Sequence, residues 1–73
     1  MKITFDKEAD AVYIEISEEE FKTNKKMDNE TIIDLDKNGK IIGIELLNVS
    51  KIMSKNFLSE IRVQNLVFPD ESL

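Results

Sequence analysis

The chain has no cysteine and no histidine, two glycines and one proline. Without cysteine, neither a disulfide nor a thiolate metal site can supplement the core. A chain of 73 residues buries only about 60% of its unfolded surface, so that core is marginal. Without histidine or cysteine, nucleophilic chemistry would need a serine, threonine or lysine activated by another group, and Ser17, Ser50, Ser54 and Ser59 have no base at a suggestive spacing. Two glycines cannot make a phosphate-cradling loop, and no Walker or dinucleotide fingerprint is present. No basic excess exists: the net charge is −5, which repels phosphate backbones and points away from direct nucleic-acid binding. No apolar run approaches the roughly 20 residues of a membrane span. The N-terminus reaches a charged turn at Asp6 too soon for a signal peptide. A soluble cytoplasmic protein without a cofactor is expected.

What is present is a period-two pattern. Lys2–Phe5 alternates, and Ala11–Ile16 sets Val12, Ile14 and Ile16 against Tyr13, Glu15 and Ser17. The polar break Asp6–Asp10 between them predicts an antiparallel hairpin. Thr31–Asp36 and Ile41–Leu47 form a second pair around a polar loop containing Gly39, which can take positive φ without a Cβ clash. Between the hairpins, Glu18–Glu20 is a charged loop, and Thr23, Lys25 and Met27 alternate as a possible exposed edge piece, where lysines discourage sheet-to-sheet pairing.

The expected fold is a single α+β domain over residues 1–73, with about four strands in two consecutive hairpins over residues 2–47. The rhythm puts Ile3, Phe5, Val12, Ile14, Ile16, Ile33, Leu35, Ile42, Ile44 and Leu46 on one face. That face needs a cover, for which residues 50–73 are the candidate. Asn48 or Ser50 could cap a helix there, with Ile52, Met53, Phe57, Leu58 and Ile61 as an imperfect apolar stripe. A break near Ser54 followed by a second short helix fits equally well, and residues 63–68 suit helix or strand.

Phe5-Asp6-Lys7-Glu8-Ala9-Asp10-Ala11-Val12-Tyr13-Ile14, then Ile33-Asp34-Leu35-Asp36, then Gly39-Lys40-Ile41-Ile42-Gly43-Ile44-Glu45-Leu46-Leu47-Asn48-Val49-Ser50, resembles the small prokaryotic family known as domain of unknown function 2283, over about residues 3–50. The resemblance implies a compact antiparallel sheet with a helix. Members of this kind sit beside small toxin-like genes, so it also implies an antitoxin role. It supplies no activity and no catalytic residues.

Three groups of residues are candidates for a site. Asp6, Glu8 and Asp10 offer hard oxygens at alternate positions, as Ca²⁺ or Mg²⁺ would need, although the spacing is not an EF-hand; the alternative is turn chemistry, with aspartates bonding nearby backbone N–H groups. Asp34, Asp36 and Glu45 could converge on the outer face beside Gly43, where a gap would admit a ligand or a partner's side chain; the alternative is a solvated face. Tyr13, with Ile32, Ile41 and Leu47 on neighbouring strands, would mark an interface if these cluster in the open. The lysines at positions 22, 25 and 26 lack the interleaved aromatics of a nucleic-acid site.

Charge separates the chain in two. Residues 1–48 carry 7 lysines against 12 acids, and residues 49–73 carry 3 basic against 3 acidic side chains. The expected function is therefore a non-enzymatic protein-interaction module, antitoxin-like toward a small basic protein or self-associating. Asp34, Asp36 and Glu45 would supply charge, and Phe57, Ile61, Leu66 and Phe68 would dock. The competing reading is a carboxylate-based cation-binding protein or a small metal-dependent hydrolase.

Overall fold

A computed structural model describes residues 1–65. Five strands form one antiparallel sheet: β1 (Lys2–Asp6), β2 (Ala11–Glu15), β3 (Thr23–Lys26), β4 (Thr31–Leu35) and β5 (Ile41–Leu47). A single helical turn follows, α1 (Val49–Ile52). The edge piece at Thr23 is thus a true strand, and the sheet has five strands rather than four.

Their order is β1-β2-β5-β4-β3, so the two hairpins do not lie side by side in sequence order. Cross-strand pairing explains the choice. Beside β5, Val12 faces Leu46 and Ile14 faces Ile44. Beside β3, whose sequence is TNKK, the same residues would lie against polar side chains. β5 takes the centre, and the lysine-bearing β3 takes the edge.

Residues 16–22 must then travel from β2 to the far edge. They do so along the end of the sheet, pinned at two points. The Ile16 and Ser17 N–H groups both donate to the Ile42 carbonyl (2.9 and 3.1 Å), and the Lys22 N–H donates to the Leu35 carbonyl (2.9 Å). The β4–β5 register shifts between Asp34 and Leu35 at this same end, a bulge of the kind that bends a strand and re-aims its neighbours.

The turns use the chemistry their residues offer. Gly39 sits at φ 77° and donates its N–H to the Asp36 carbonyl (3.0 Å). In the β3–β4 turn the Asp28 carboxylate accepts the Glu30 N–H (2.8 Å). That bond, with others from Thr31 and the nearby Lys26 charge, holds Asp28 below the usual carboxylate range.

The expected covering helix does not form. Met53 is extended (φ −118°, ψ 160°) and ends α1 after one turn. Beyond it, Phe57 N–H bonds the Ser54 carbonyl (3.2 Å), and Ser59 bonds the Asn56 carbonyl through both its N–H and its hydroxyl (each 3.0 Å). These are backbone turns of three-residue reach, and the Ser59 hydroxyl adds a side-chain bond to the Asn56 carbonyl, the kind of local bonding that favours turns over helix interiors. The domain is mostly β, with a one-turn helix and a turn-rich strap rather than a packed helix. The strap reaches the sheet through Phe57, whose ring meets Phe5 edge-on (centroids 5.8 Å, interplanar 83°).

What fixes the strap's start is Asp10. It adopts φ 52° at the end of the β1–β2 turn. Its carbonyl accepts the Val49 N–H (3.1 Å), and its carboxylate accepts the Ser50 N–H (3.1 Å) and hydroxyl (2.6 Å). An aspartate 40 residues upstream thereby caps α1, whose own Asn48 makes no side-chain cap. Val49 beneath it is fully buried. Asp10→Ala removes both carboxylate bonds and puts a Cβ-bearing residue without local bonding at positive φ. Its cost should be about 1–3 kcal/mol. Asp10→Asn should retain more than half of that, as read by urea denaturation.

Candidate functional site

The outer face of the sheet carries the residues with chemistry. Register places Tyr13 opposite Glu45, and Glu45 opposite Ile32; one row along, Glu15 is opposite Gly43, and Gly43 opposite Asp34. Tyr13 and Asp34 are thus separated by the whole width of β5, roughly 9–10 Å between strand axes. The phenol bridges that width. Its hydroxyl donates to Asp34 Oδ2 at 3.0 Å.

The bridge crosses β5 at Gly43. A Cβ built on Gly43 would fall on the Tyr13 hydroxyl and ring edge, so no other residue fits under the tyrosine. The gap expected beside Gly43 is occupied by the chain's own side chain. Glycine within a strand often marks such a close approach.

Burial beneath this bridge pushes the Tyr13 pKa up. The Asp34 hydrogen bond adds to the rise, and the charges of Asp34, Glu15 and Glu45 act in the same direction. Three carboxylates on three strands therefore surround one half-buried phenol. This is a hydrogen-bonded platform with a negative rim.

The other candidate residues fall elsewhere. Asp36 is buried, and its Oδ1 accepts the Asn38 and Lys40 N–H groups (2.8 and 3.0 Å); it builds the β4–β5 turn and does not join Asp34 and Glu45. Asp6 accepts the Ala9 N–H (3.1 Å), Asp10 caps α1, and Glu8 is exposed. Among the described residues no three such side chains are grouped so as to hold a metal ion. Phe57 is half-buried on Phe5, and Ile61 is exposed. Leu66 and Phe68 lie outside the described residues. Reasoning from sequence missed Glu15 as a member of the outer-face group, and it named Ser50 as a helix cap without its pairing to Asp10. The one available signal was an aspartate next to the strand start and a helix-capping Asn-x-Ser after β5.

A family model described as Protein of unknown function (DUF2283) matches residues 2–50. No curated protein and no solved structure matches. The matched region ends at Ser50, so it contains Tyr13, Asp34, Gly43 and both partners of the Asp10–Ser50 cap.

Two measurements check the platform. Gly43→Ala should cost about 2–4 kcal/mol, from overpacking plus a lost hydrogen bond; in a Tyr13→Ala background the same substitution should cost far less, because the clash is gone. Tyr13 is the chain's single tyrosine, so tyrosinate absorbance reports it alone. Its midpoint should lie above 10.0 and fall part of the way back in Asp34→Ala, where burial remains. The folded pKa is the raised one. Stability from this group is therefore intact below pH 10 and lost as pH rises through the folded value.

Proposed function

We propose a binding function for this chain, which belongs to the DUF2283 family: it is a non-enzymatic interaction module that docks a small basic protein on its outer sheet face, in the manner of an antitoxin. The observation that carries this reading is the platform of Tyr13 laid across Gly43 with Glu15, Asp34 and Glu45 around it. A phenol flanked by carboxylates offers a flat apolar surface with a negative rim. Lysine and arginine side chains suit both parts, stacking on the ring and pairing with the acids. The net charge of −5 favours the same partner at long range, since complementary fields speed encounter.

Asp34 has a second task in this reading. Its bond to Tyr13 presets the ring orientation, and a partner meets a surface that needs little ordering. Asp36 and Asp10 serve the architecture, and the charge of the docking face falls to Glu15, Asp34 and Glu45.

The test is capture from a lysate of the native host, with salt and charge as variables. A small basic protein should be retained at low ionic strength and released as salt shortens the Debye length below about 8 Å. Glu15→Lys with Glu45→Lys should lower retention at least tenfold, with the fold intact by circular dichroism. Capture of nothing specific, or capture indifferent to the charge reversal, removes the reading.

A further inference from the structure

The two outermost strands of the sheet, β1 and β3, each have one side unpaired. Such an edge offers a row of free backbone N–H and C=O groups, and natural sheets protect it with lysines, prolines, bulges or a cover. β3 (TNKK) carries two lysines in four residues. β1 (KITFD) has none of these devices at its centre: all its residues are exposed, Ile3 by 40% and Phe5 by 37%. One edge is blunted, and the other is open to pairing.

The order of side chains on β1 says what pairs with it. Antiparallel strands that continue one sheet must match faces, since residues opposite each other point the same way. About a two-fold axis at Thr4, Lys2 falls opposite the partner's Asp6, Ile3 opposite the partner's Phe5, and Thr4 opposite the partner's Thr4. Charge thus meets opposite charge on the outer face, and apolar meets apolar on the inner one. Sliding by two residues, the smallest shift that keeps the faces matched, leaves either Asp6 or Lys2 without its counterpart. Within its own sheet Lys2 faces Glu15, whereas Asp6 faces Ala11. A second copy therefore brings to Asp6 the cation that β2 does not. β1 is neutral in a chain of net charge −5, so two copies bring equal numbers of both signs to the seam.

The other edge pairings fail by the same rule. β3 on the partner's β3 sets Lys25 against the partner's Lys25, or Lys22 against the partner's Lys26, and like charges directly opposite are destabilising. β1 on the partner's β3 sets a lysine, the inner-face Lys25 that pairs with Ile33, against Ile3 or Phe5. That head-to-tail join is also the one that would propagate into filaments. We infer that β1 pairs edge to edge with β1 of a second copy of this chain, antiparallel about Thr4, in a closed two-fold dimer.

The joined sheet runs outward from the β1 seam through β2, β5 and β4 in each copy, and both its ends are the lysine-bearing β3. The five-residue edge is about 17 Å long, which places the dimer in the weak class of interfaces that bury less than about 1,200 Å² in total. Both Tyr13 platforms lie on the same side of the joined sheet and stay uncovered. The inference does not rest on the proposed docking of a basic protein.

Sedimentation equilibrium with charge exchange tests it. The mass should rise from 8.4 kDa toward twice that value between about 10 μM and about 1 mM, the range of a weak interface. Lys2→Asp and Asp6→Lys each set like charges opposite one another, and each should weaken self-association roughly tenfold. Mixed in equal amounts, the two variants should associate again, because each then supplies the charge the other lacks. Glu45→Lys, on the central strand, should leave the dimer unchanged. Should Asp6→Lys fail to fold, Thr4→Cys decides. In a chain without cysteine, it should cross-link under mild oxidation much faster than Lys25→Cys on β3. A monomer at about 1 mM, well above the weak range, overturns the inference. So does a mixture of folded Lys2→Asp and Asp6→Lys that stays monomeric, or a Thr4→Cys chain that cross-links no faster than Lys25→Cys.

Discussion

Antiparallel pairing of β2 with β5 is the constraint on which the rest depends. These strands belong to different hairpins, and no turn forces them together. They are held by the match between an apolar inner row and a shared outer one. Inside, Val12 and Ile14 meet Leu46 and Ile44. Outside, Tyr13 and Glu15 meet Glu45 and Gly43. A shift of one residue would turn every side chain of β2 to the wrong face. Tyr13 would then lie under the sheet, away from Asp34, and Ile14 would leave the inner row it shares with Ile44. Two unrelated surfaces are thus set by one register.

The same pairing explains why the acidic residues have unequal roles. Asp10 closes the first hairpin where β2 begins, and β5 ends directly alongside, since Ala11 pairs with Leu47. The chain leaving β5 therefore starts α1 within reach of the Asp10 carboxylate. Asp36 is likewise consumed by the β4–β5 turn. Asp36 accepts two backbone N–H groups through one oxygen and is buried in that turn, so its charge is not presented at the surface. Asp34, Glu15 and Glu45 project from strands, where the backbone is paired with neighbouring strands. Their charge is available to the surface.

Much of this was legible in the alternation of side chains. β5 was readable at Ile41–Leu47 because its period-two pattern is strong and Gly39 marks its start. β3 was harder: a four-residue polar strand at an edge buries nothing, so no hydrophobic rhythm announces it. Strand order was hidden for another reason. It depends on which exposed edge of one hairpin suits the other, a comparison of pairs far apart in the chain. The strap runs as backbone turns closing on the Ser54 and Asn56 carbonyls, the second reinforced by the Ser59 hydroxyl, an effect that an apolar stripe does not record. At the platform, glycine was recognisable as a place of close approach. That the approaching group was the chain's own tyrosine required knowing that β2 and β4 flank β5.

A sheet with one thin cover poses an energetic problem that bears on both surfaces. Among the described residues, Val12, Ile42 and Val49 are the buried apolar side chains. Each contributes roughly 1.5–3 kcal/mol on burial, whereas ordering a single backbone residue costs about 1–2 kcal/mol. Three such side chains cannot hold five strands; the half-buried isoleucines supply much of the rest. Their packing therefore stabilises the very register that places Tyr13 over Gly43. The coupling runs through the backbone of β2 and β5, whose alternate residues serve the two faces. A platform on the outer face is therefore only as well ordered as the packing of these isoleucines on the inner one.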